Sequence, residues 1–554
     1  MFIDDIESRL TELVRDKIAE ALGDKAVAGL GEICADFPDN PDHGDFSFNV
    51  ALRLGRIAKR TPRAVAEELK KIIAPRIAAE PFGEIIEKLE VAGPGFLNFF
   101  IRGKYYFLRI KEILSRGDRF GARDVGRGEK AQIEFVSANP TGPLSIAHAR
   151  QAAVGDSLAR IMRFCGFDVT REYYLNDKGR QIDILGRSIE ARLKQLQGED
   201  ANFPDEYYQG DYIRDIAAKI RDSGPEGKRD FSRYGIEYIL EGIKRDLADF
   251  GVCFDNFFSQ EKLEAGGAVE EAIAALRAQG LVADKDGALW FKSSLFGDDK
   301  DRVVVKGDKS YTYLAPDIAY HRDKFRRGFR RVIDIWGPDH HGYIPRIKAA
   351  VAALGRDKDA LRVIIVQLVK LLRGGKAVPM STRRGSYVTL RQLIDEVGKD
   401  ATRFFLVARR TPSQLDFDLE LAKKQSAENP VYYIQYGFAR VRSIMRKRDD
   451  TGIRGDWSDD LAGELNRREE LALIRKLSEF PRVLGLCLVS LDPYPLSAYL
   501  QGLAGRWHKF YDTHKVLDEK NQRLSRARLG LAEACGVVLK NGLTLLGLSA
   551  PEKM

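Results

Sequence analysis

The stretch Ile133–Cys165, IEFVSANPTGPLSIAHARQAAVGDSLARIMRFC, decides the architecture. Ile133-Glu-Phe-Val136 is a short run of β-formers and Ser137–Pro143 is a loop rich in Pro and Gly. Ile146, Ala153, Val154, Leu158, Ile161 and Met162 then recur at the spacing of a helix that runs to about Cys165. Phe167–Leu175 returns to strand character, so the segment predicts a β-α-β unit. A second strand, loop and helix follow at Arg331–Leu354 (VIDIW, GPDHHG, then an apolar-periodic helix), and Val363–Val369 is a third strand candidate. Alternation of this kind predicts a parallel, doubly wound sheet.

More chain separates the first two units than a crossover helix requires, so an inserted subdomain is expected at about 186–299. From Asn429 onward the pattern is helix after helix, predicting an all-α domain over 429–554. Upstream, residues 1–118 begin with a helical pattern (Ile6, Leu10, Leu13, Val14, Ile18) and the turn-rich stretch Phe37–Gly44. A basic amphipathic helix at Thr61–Ile73 and a last strand, VAGPGFLNFFI (Val91–Ile101), complete an α+β module. The predicted class is therefore α/β multidomain. A doubly wound, Rossmann-like central domain (119–428) carries an insertion and lies between an N-terminal α+β module and a C-terminal all-α domain.

The chain has 554 residues, with 90 Lys+Arg against 81 Asp+Glu, a net charge of +9. That surplus permits a polyanionic partner without requiring one. With 44% hydrophobic residues the chain is not globally disordered. It has no apolar run of membrane-spanning length, and MFIDDIESRL lacks the apolar core of a secretory signal, so a cytoplasmic protein is expected. Five scattered cysteines form no CxxC pair, which offers neither a disulfide framework nor a zinc ribbon. Walker A, HExxH and GxSxG sequences are absent, as is GxGxxG at a strand-helix junction.

Two elements carry chemistry. Ala138–His148, ANPTGPLSIAH, leads into a helix N-terminus, where free N–H groups and the positive end of the dipole suit a phosphate. Met380–Gly385, MSTRRG, is a basic loop after the third strand candidate, suited to neutralising charge that develops on phosphate oxygens. In this order on a doubly wound sheet, the pair resembles the HIGH and KMSKS elements of class I aminoacyl-tRNA synthetases. REYYLNDKGRQ (Arg171–Gln181), YTYLAPDIAYHRDKF (Tyr311–Phe325), IDIWGPDHHGYIPR (Ile333–Arg346), MSTRRGSYVTLRQLIDEVG (Met380–Gly398), DHGDFSFNVAL (Asp42–Leu52) and GLTLLGLSAPEKM (Gly542–Met554) extend the likeness over essentially the whole chain. Together they resemble arginyl-tRNA synthetases of bacterial type.

That resemblance implies ATP-dependent ligation of L-arginine to tRNA(Arg) through an arginyl-adenylate, with Mg²⁺ accompanying ATP and no protein-bound metal. It implies that Asp317 and Tyr313 hold the guanidinium, that Glu134, Ser137 and Asn139 hold the α-amino and carboxylate end, and that His340, beside Asp339 and His341, shapes the pocket. A carboxylate suits the guanidinium because their hydrogen bonds are charge-assisted and often bidentate. ATP falls to Pro140, Gly142, Pro143, Ala147, His148, Met380 and Ser381, with Ser145, His148, Ser381 and Arg383 as the catalytic group. Two positions depart from the family's His-x-Gly-His: Ser145 replaces an imidazole and Ala147 the glycine on which adenine rests. Pro379 and Thr382 depart in the second element, leaving Lys376, Arg383 and Arg384 as candidate cations. The expectation is a working enzyme, slowed where nothing replaces the lost charged donor.

For tRNA, the resemblance assigns the C-terminal domain to the anticodon, with Tyr436, Arg440, Arg442, Arg506, Trp507 and Tyr511 as stacking and guanidinium groups and Met554 near the anticodon. The N-terminal module, with Asp45, Phe46, Phe48, Asn49, Phe96 and Asn98, resembles the part that touches the outer corner of the tRNA. The run His321–Arg331 interleaves cations and aromatics and reads equally as an RNA contact or a solvated helix face. A monomer is expected. Two other readings are a non-catalytic or weakly active tRNA-binding paralogue with a degenerate ATP site, and a class I synthetase for cysteine. The second lacks the Cys/His cluster that a zinc site needs.

Overall fold

The computed structural model describes residues 3–31, 33–38, 40–79, 82–223, 230–379, 387–451, 453 and 457–554. The N-terminal module runs α1 (Ile3–Leu22), α2 (Asp24–Leu30), β1 (Phe46–Phe48), α3 (Val50–Ala58), α4 (Pro62–Ile77), β2 (Ile86–Ala92), β3 (Phe96–Ile101) and α5 (Gly103–Arg116). Its antiparallel sheet has the order β1-β3-β2. Thr61 caps α4 by accepting from Ala64 N, and Pro62 occupies the first turn, where its missing N–H costs nothing.

The central domain follows with β4 (Lys130–Glu134), α6 (Ile146–Phe164), β5 (Asp168–Leu175), α7 (Arg180–Leu196), α8 (Asp211–Asp222), α9 (Phe231–Asp249) and β6 (Asn256–Ser259). Next come α10 (Gln260–Ala265), α11 (Ala268–Ala278), β7 (Val282–Lys285), β8 (Ala288–Phe291), β9 (Arg302–Val305), α12 (Leu314–Arg326), β10 (Arg331–Trp336), α13 (Ile344–Ala353) and β11 (Leu361–Ile365). The central sheet is parallel throughout, in the order β11-β10-β4-β5-β6. The chain enters at β4, builds outward to β6, then returns on the other side at β10. The switch point between β4 and β10 is where an open α/β sheet leaves a crevice for ligands.

Two expectations are corrected here. The stretch 186–299 is not one inserted subdomain, because β6 returns to the central sheet by pairing with β5 from Glu172↔Asn256 to Leu175↔Ser259. The antiparallel β7-β8-β9 sheet is separate from it. The strand expected at Val363–Val369 is two strands: β11 ends at Ile365, and β12 (Val369–Arg373) joins β13 (Lys376–Ala377) and β14 (Leu415–Asp418) in a separate sheet. Tertiary contacts make the break, since Gln367 O accepts from the Arg150 guanidinium and Gln367 N donates to Thr411 O.

The remaining helices are α14 (Leu390–Val397), α15 (Lys399–Val407), α16 (Leu419–Lys423), α17 (Pro430–Thr451), α18 (Arg468–Ser478), α19 (Phe480–Ser490), α20 (Tyr494–Thr513) and α21 (Gln522–Leu545). The fully buried Arg403 ties the end of α21 to α6, donating to Leu546 O (3.0 Å) and Asp156 (2.6 Å). No helix among the described residues is long and apolar enough to cross a membrane. Helix α6 rests on the end of β4 at Gly155, where an added Cβ would lie 2.3 Å from the Phe135 ring. Phe254 packs on that ring at 4.4 Å between centroids. Gly155→Ala should therefore destabilise the protein by about 1–3 kcal/mol, read as a lower urea midpoint.

Candidate functional site

At the carboxyl ends of the sheet strands, the register sets Asp334 of β10, Glu134 of β4 and Glu172 of β5 side by side. Three adjacent carboxylates in a buried row would repel unless cations met them. Helix α12 supplies those cations. The fully buried Lys324 donates to Glu134 Oε2 (2.7 Å) and Asp334 Oδ1 (2.8 Å), and His321 Nε2 lies 2.9 Å from Asp334 Oδ2. Arg327, at the end of α12, grips Glu172 through two nitrogens at 2.5 and 2.8 Å, and Tyr320 OH donates to the same carboxylate at 2.7 Å. Burial would raise Asp334, but Lys324 and His321 outweigh it and hold its carboxyl below the usual range. Burial keeps Glu134 raised despite Lys324. Elsewhere in the run His321–Arg331, Arg322 and Arg326 pair with Glu271, and Arg331 with Glu129.

Beyond Glu134 the chain makes a tight turn with two consecutive non-glycine residues in the left-handed region, Val136 (φ 68°) and Ser137 (φ 37°). Such backbone costs about 1–3 kcal/mol per residue and persists only where its surroundings over-determine it. Here Ser137 Oγ donates to Glu134 Oε1 (3.0 Å) and accepts from Tyr174 N (3.1 Å), while Tyr173 OH donates to Ala138 O (2.7 Å). Asn139 is oriented by the β5–α7 connection: its amide donates to Gln181 (2.6 Å) and accepts from Asn176 (2.8 Å).

The Pro140–Leu144 loop is held by two tyrosine hydroxyls. Tyr212 donates to Thr141 O (2.6 Å) and Tyr387 to Pro143 O (2.8 Å), across Gly142, where a Cβ would lie 3.0 Å from Tyr212 Oη. Burial raises both phenols, so they stay donors at neutral pH. Leu390 N also donates to Leu144 O, which docks the chain after residue 386 on this loop. Met380, Ser381 and Arg383, with Thr382 and Arg384, lie outside the described residues.

Ser145 caps α6 and is buried. Its N–H donates to His148 Nδ1 at 3.2 Å and its hydroxyl lies 3.2 Å from the same nitrogen. Burial pulls the imidazole down to about 4, with the Asp339 carboxylate pulling the other way. His148 is therefore neutral at pH 7, accepts at Nδ1, and carries its proton on Nε2 as a donor. Ala147 is half-buried in the same first turn.

Asp317 lies in the first turn of α12 and accepts from Tyr343 OH at 2.6 Å through Oδ2, leaving Oδ1 with no hydrogen bond among the described residues. Burial raises its carboxyl, against the lowering effect of Tyr343. Tyr313, expected to hold the guanidinium together with Asp317, is 88% exposed, and among the described residues no side-chain contact joins it to Asp317. Tyr343 and Lys324 escaped the sequence reading. Lys324 had a signal, since Asp317, Tyr320 and Lys324 fall on one helical face. His340 is exposed and pairs with Asp339 at 3.3 Å.

Several RNA candidates are core residues. Phe46 and Trp507 are fully buried, and Phe46 meets Phe37 edge-on at 4.7 Å. Neither reaches a partner molecule from there. Asn49 is half-buried, with its amide 3.4 Å from Asp36. Tyr436, Arg440 and Tyr511 do form one surface: the Arg440 guanidinium lies 4.6 Å from both ring centroids and Tyr436 stacks on Tyr432. Arg442 and Arg446 of α17 hold Glu552, and Met554 beyond it is 49% exposed.

Comparison with known proteins adds three family matches. A class I (R) tRNA synthetase catalytic domain matches residues 109–414, a DALR anticodon binding domain 434–554, and an arginyl tRNA synthetase N terminal domain 8–101. The chain is 48% identical to an arginine–tRNA ligase of Citrifermentans bemidjiense, covering 93% of this chain and 94% of that protein. It is 45% identical to the arginine–tRNA ligase of Geobacillus thermodenitrificans, covering 99% and 100%. Its fold matches the Thermus thermophilus arginyl-tRNA synthetase with a TM-score of 0.74 at 21% identity, over 99% of this chain and 100% of that one.

Proposed function

The chain belongs to the arginyl-tRNA synthetases, and from that premise we propose how its own residues ligate L-arginine to tRNA(Arg) with ATP. The arginine carboxylate attacks the α-phosphorus of ATP, pyrophosphate leaves, and a terminal ribose hydroxyl of the tRNA then displaces AMP from the arginyl-adenylate. The observation that carries the reading is Asp317, fixed by Tyr343 with one oxygen open, together with the Glu134–Ser137–Asn139 turn on the connection from β4 to α6. Asp317 binds the guanidinium with its open oxygen, and Tyr343 fixes the other. Glu134, Ser137 and Asn139 take the amino-acid end. His148 Nε2–H and the N–H groups opening α6 receive phosphate oxygens.

Ser145 acts through His148: it occupies Nδ1 and so sets the tautomer that donates at Nε2. A neutral donor in the place of a cation slows the reaction without abolishing it. Mg²⁺ enters with ATP as part of the substrate, in keeping with its habit of riding on phosphates. Tyr436, Arg440 and Tyr511 offer a stack suited to an unpaired anticodon base, in a protein that acts as a monomer in the cytoplasm.

The test is arginine-dependent ATP–pyrophosphate exchange with cognate tRNA. The purified protein should support it. No exchange, with activity restored by Ser145→His plus Ala147→Gly, would instead mark a degenerate paralogue. His148→Ala should lower exchange about a hundredfold, the effect of removing one donor from a developing oxyanion. Because His148 is already neutral, it contributes no inflection to the rate near pH 6.5. Its stability effect has a definite sign. The unfolded chain takes the proton at the ordinary value of 6.5 and the folded one only at about 4, so stability is full above 6.5 and falls as pH drops towards 4.

A further inference from the structure

The strained turn at Val136–Ser137 has one more partner, and it comes from α6. Gln151 is buried three residues after His148, its side-chain amide lying between two loops at the ligand-binding end of the sheet. Turned so that both its polar atoms are satisfied, it donates to Val136 O at 3.2 Å and accepts from Gly337 N at 3.3 Å. Val136 O belongs to the left-handed turn that presents Ser137 and Asn139. Gly337 opens the loop that carries Asp339 and His340 after β10. The two loops thus flank the switch point of the sheet, and one amide spans them.

We propose that Gln151 is a positioning residue that locks the turn holding the arginine carboxylate end against the loop beside the phosphate-binding helix, fixing the register of the two substrates. The inference rests on the arginine and ATP assignments made above. The lock spans both loops because each polar atom of one side chain has its own partner: the nitrogen holds the turn that presents Ser137 and Asn139, and the oxygen holds the loop whose Asp339 carboxylate acts on His148 of the phosphate-binding helix. Gly337 sits in a tight loop, since a Cβ there would lie 2.6 Å from Asp339 Oδ1. Losing the amide leaves each substrate's own contacts intact, so each still binds. What is lost is the alignment of carboxylate oxygen with phosphorus, and misplacement of about 1 Å costs on the order of a hundredfold in rate.

Gln151→Met keeps the length and apolar stem but makes neither hydrogen bond. Gln151→Glu keeps an acceptor for Gly337 N–H but no donor for Val136 O. Both should show kcat for arginine-dependent exchange reduced tenfold or more, with KM for arginine and for ATP each changed less than threefold and a folded circular-dichroism spectrum. A kcat within threefold of the parent in the folded variants, or an effect confined to KM of one substrate, would overturn the proposal. Absence of exchange in the unsubstituted protein would fail the underlying site reading instead, which keeps the two failures distinct.

Discussion

Asp317→Ala should lower kcat/KM for arginine by at least about a thousandfold, measured by ATP–pyrophosphate exchange with cognate tRNA. The carboxylate sits in the first turn of α12, half-buried, with Tyr343 on one oxygen and the other open. A guanidinium brought there loses its water and needs a fixed anion in return. Removing one member of such a desolvated charge pair costs about 2–5 kcal/mol, and about 4 kcal/mol corresponds to three decades. Asp317→Asn should be nearly as damaging, because its amide turns a donor towards another donor. KM for ATP should stay within a few-fold of the parent, since the residue is assigned to the guanidinium and the phosphates to α6. Tyr343→Phe should show a milder loss of the same kind, because the anion keeps its charge and loses only its fixed donor.

Lys324→Met should cost about 3–5 kcal/mol of stability, read from the urea midpoint. The lysine is fully buried between Glu134 and Asp334, with its ammonium 4.2 Å from the Tyr320 ring centroid. Methionine fills the space but leaves two adjacent carboxylates without the ammonium they share. In the parent, Asp334 has a depressed pKa, so its contribution is present above the ordinary carboxylate range and is lost as pH falls through the folded value. In the variant both carboxyls are raised instead. The deficit should therefore be largest at neutral pH and shrink towards pH 5. Adding Glu134→Gln should recover part of the stability and none of the arginine activity. A deficit independent of pH would place the loss in packing and not in charge.

The buried cations show where the sequence stopped being legible. Lys324 and Arg327 sit in a run of cations and aromatics that reads as a surface, yet α12 lays them against carboxylates of β4, β5 and β10. Only the strand register puts Asp334, Glu134 and Glu172 in one row, and no local pattern carries that register. Phe46 and Trp507 failed for a related reason: a ring suited to stacking on a base is equally suited to a core. Arg440 was legible because Tyr436 lies four residues before it on the same helix, although Tyr511 reaches it from another. Strand β6 is four residues without alternation, and its existence depends on β5 beside it. By contrast, α6 and β5 were readable to within a residue, since helical period and β-propensity agree there, whereas β4 runs from Lys130 to Glu134 and Phe135–Val136, read as strand, leave it for the strained turn.

The most direct test of the account sets arginine against citrulline, which keeps the shape of the side chain and replaces the cation with a neutral urea. Exchange should be measured for both at saturating ATP with cognate tRNA. The account predicts that arginine is used and citrulline is disfavoured at least about a hundredfold in kcat/KM, with the preference collapsing in Asp317→Asn. Comparable rates for the two in the unsubstituted protein would contradict an arginine site read by the Asp317 carboxylate.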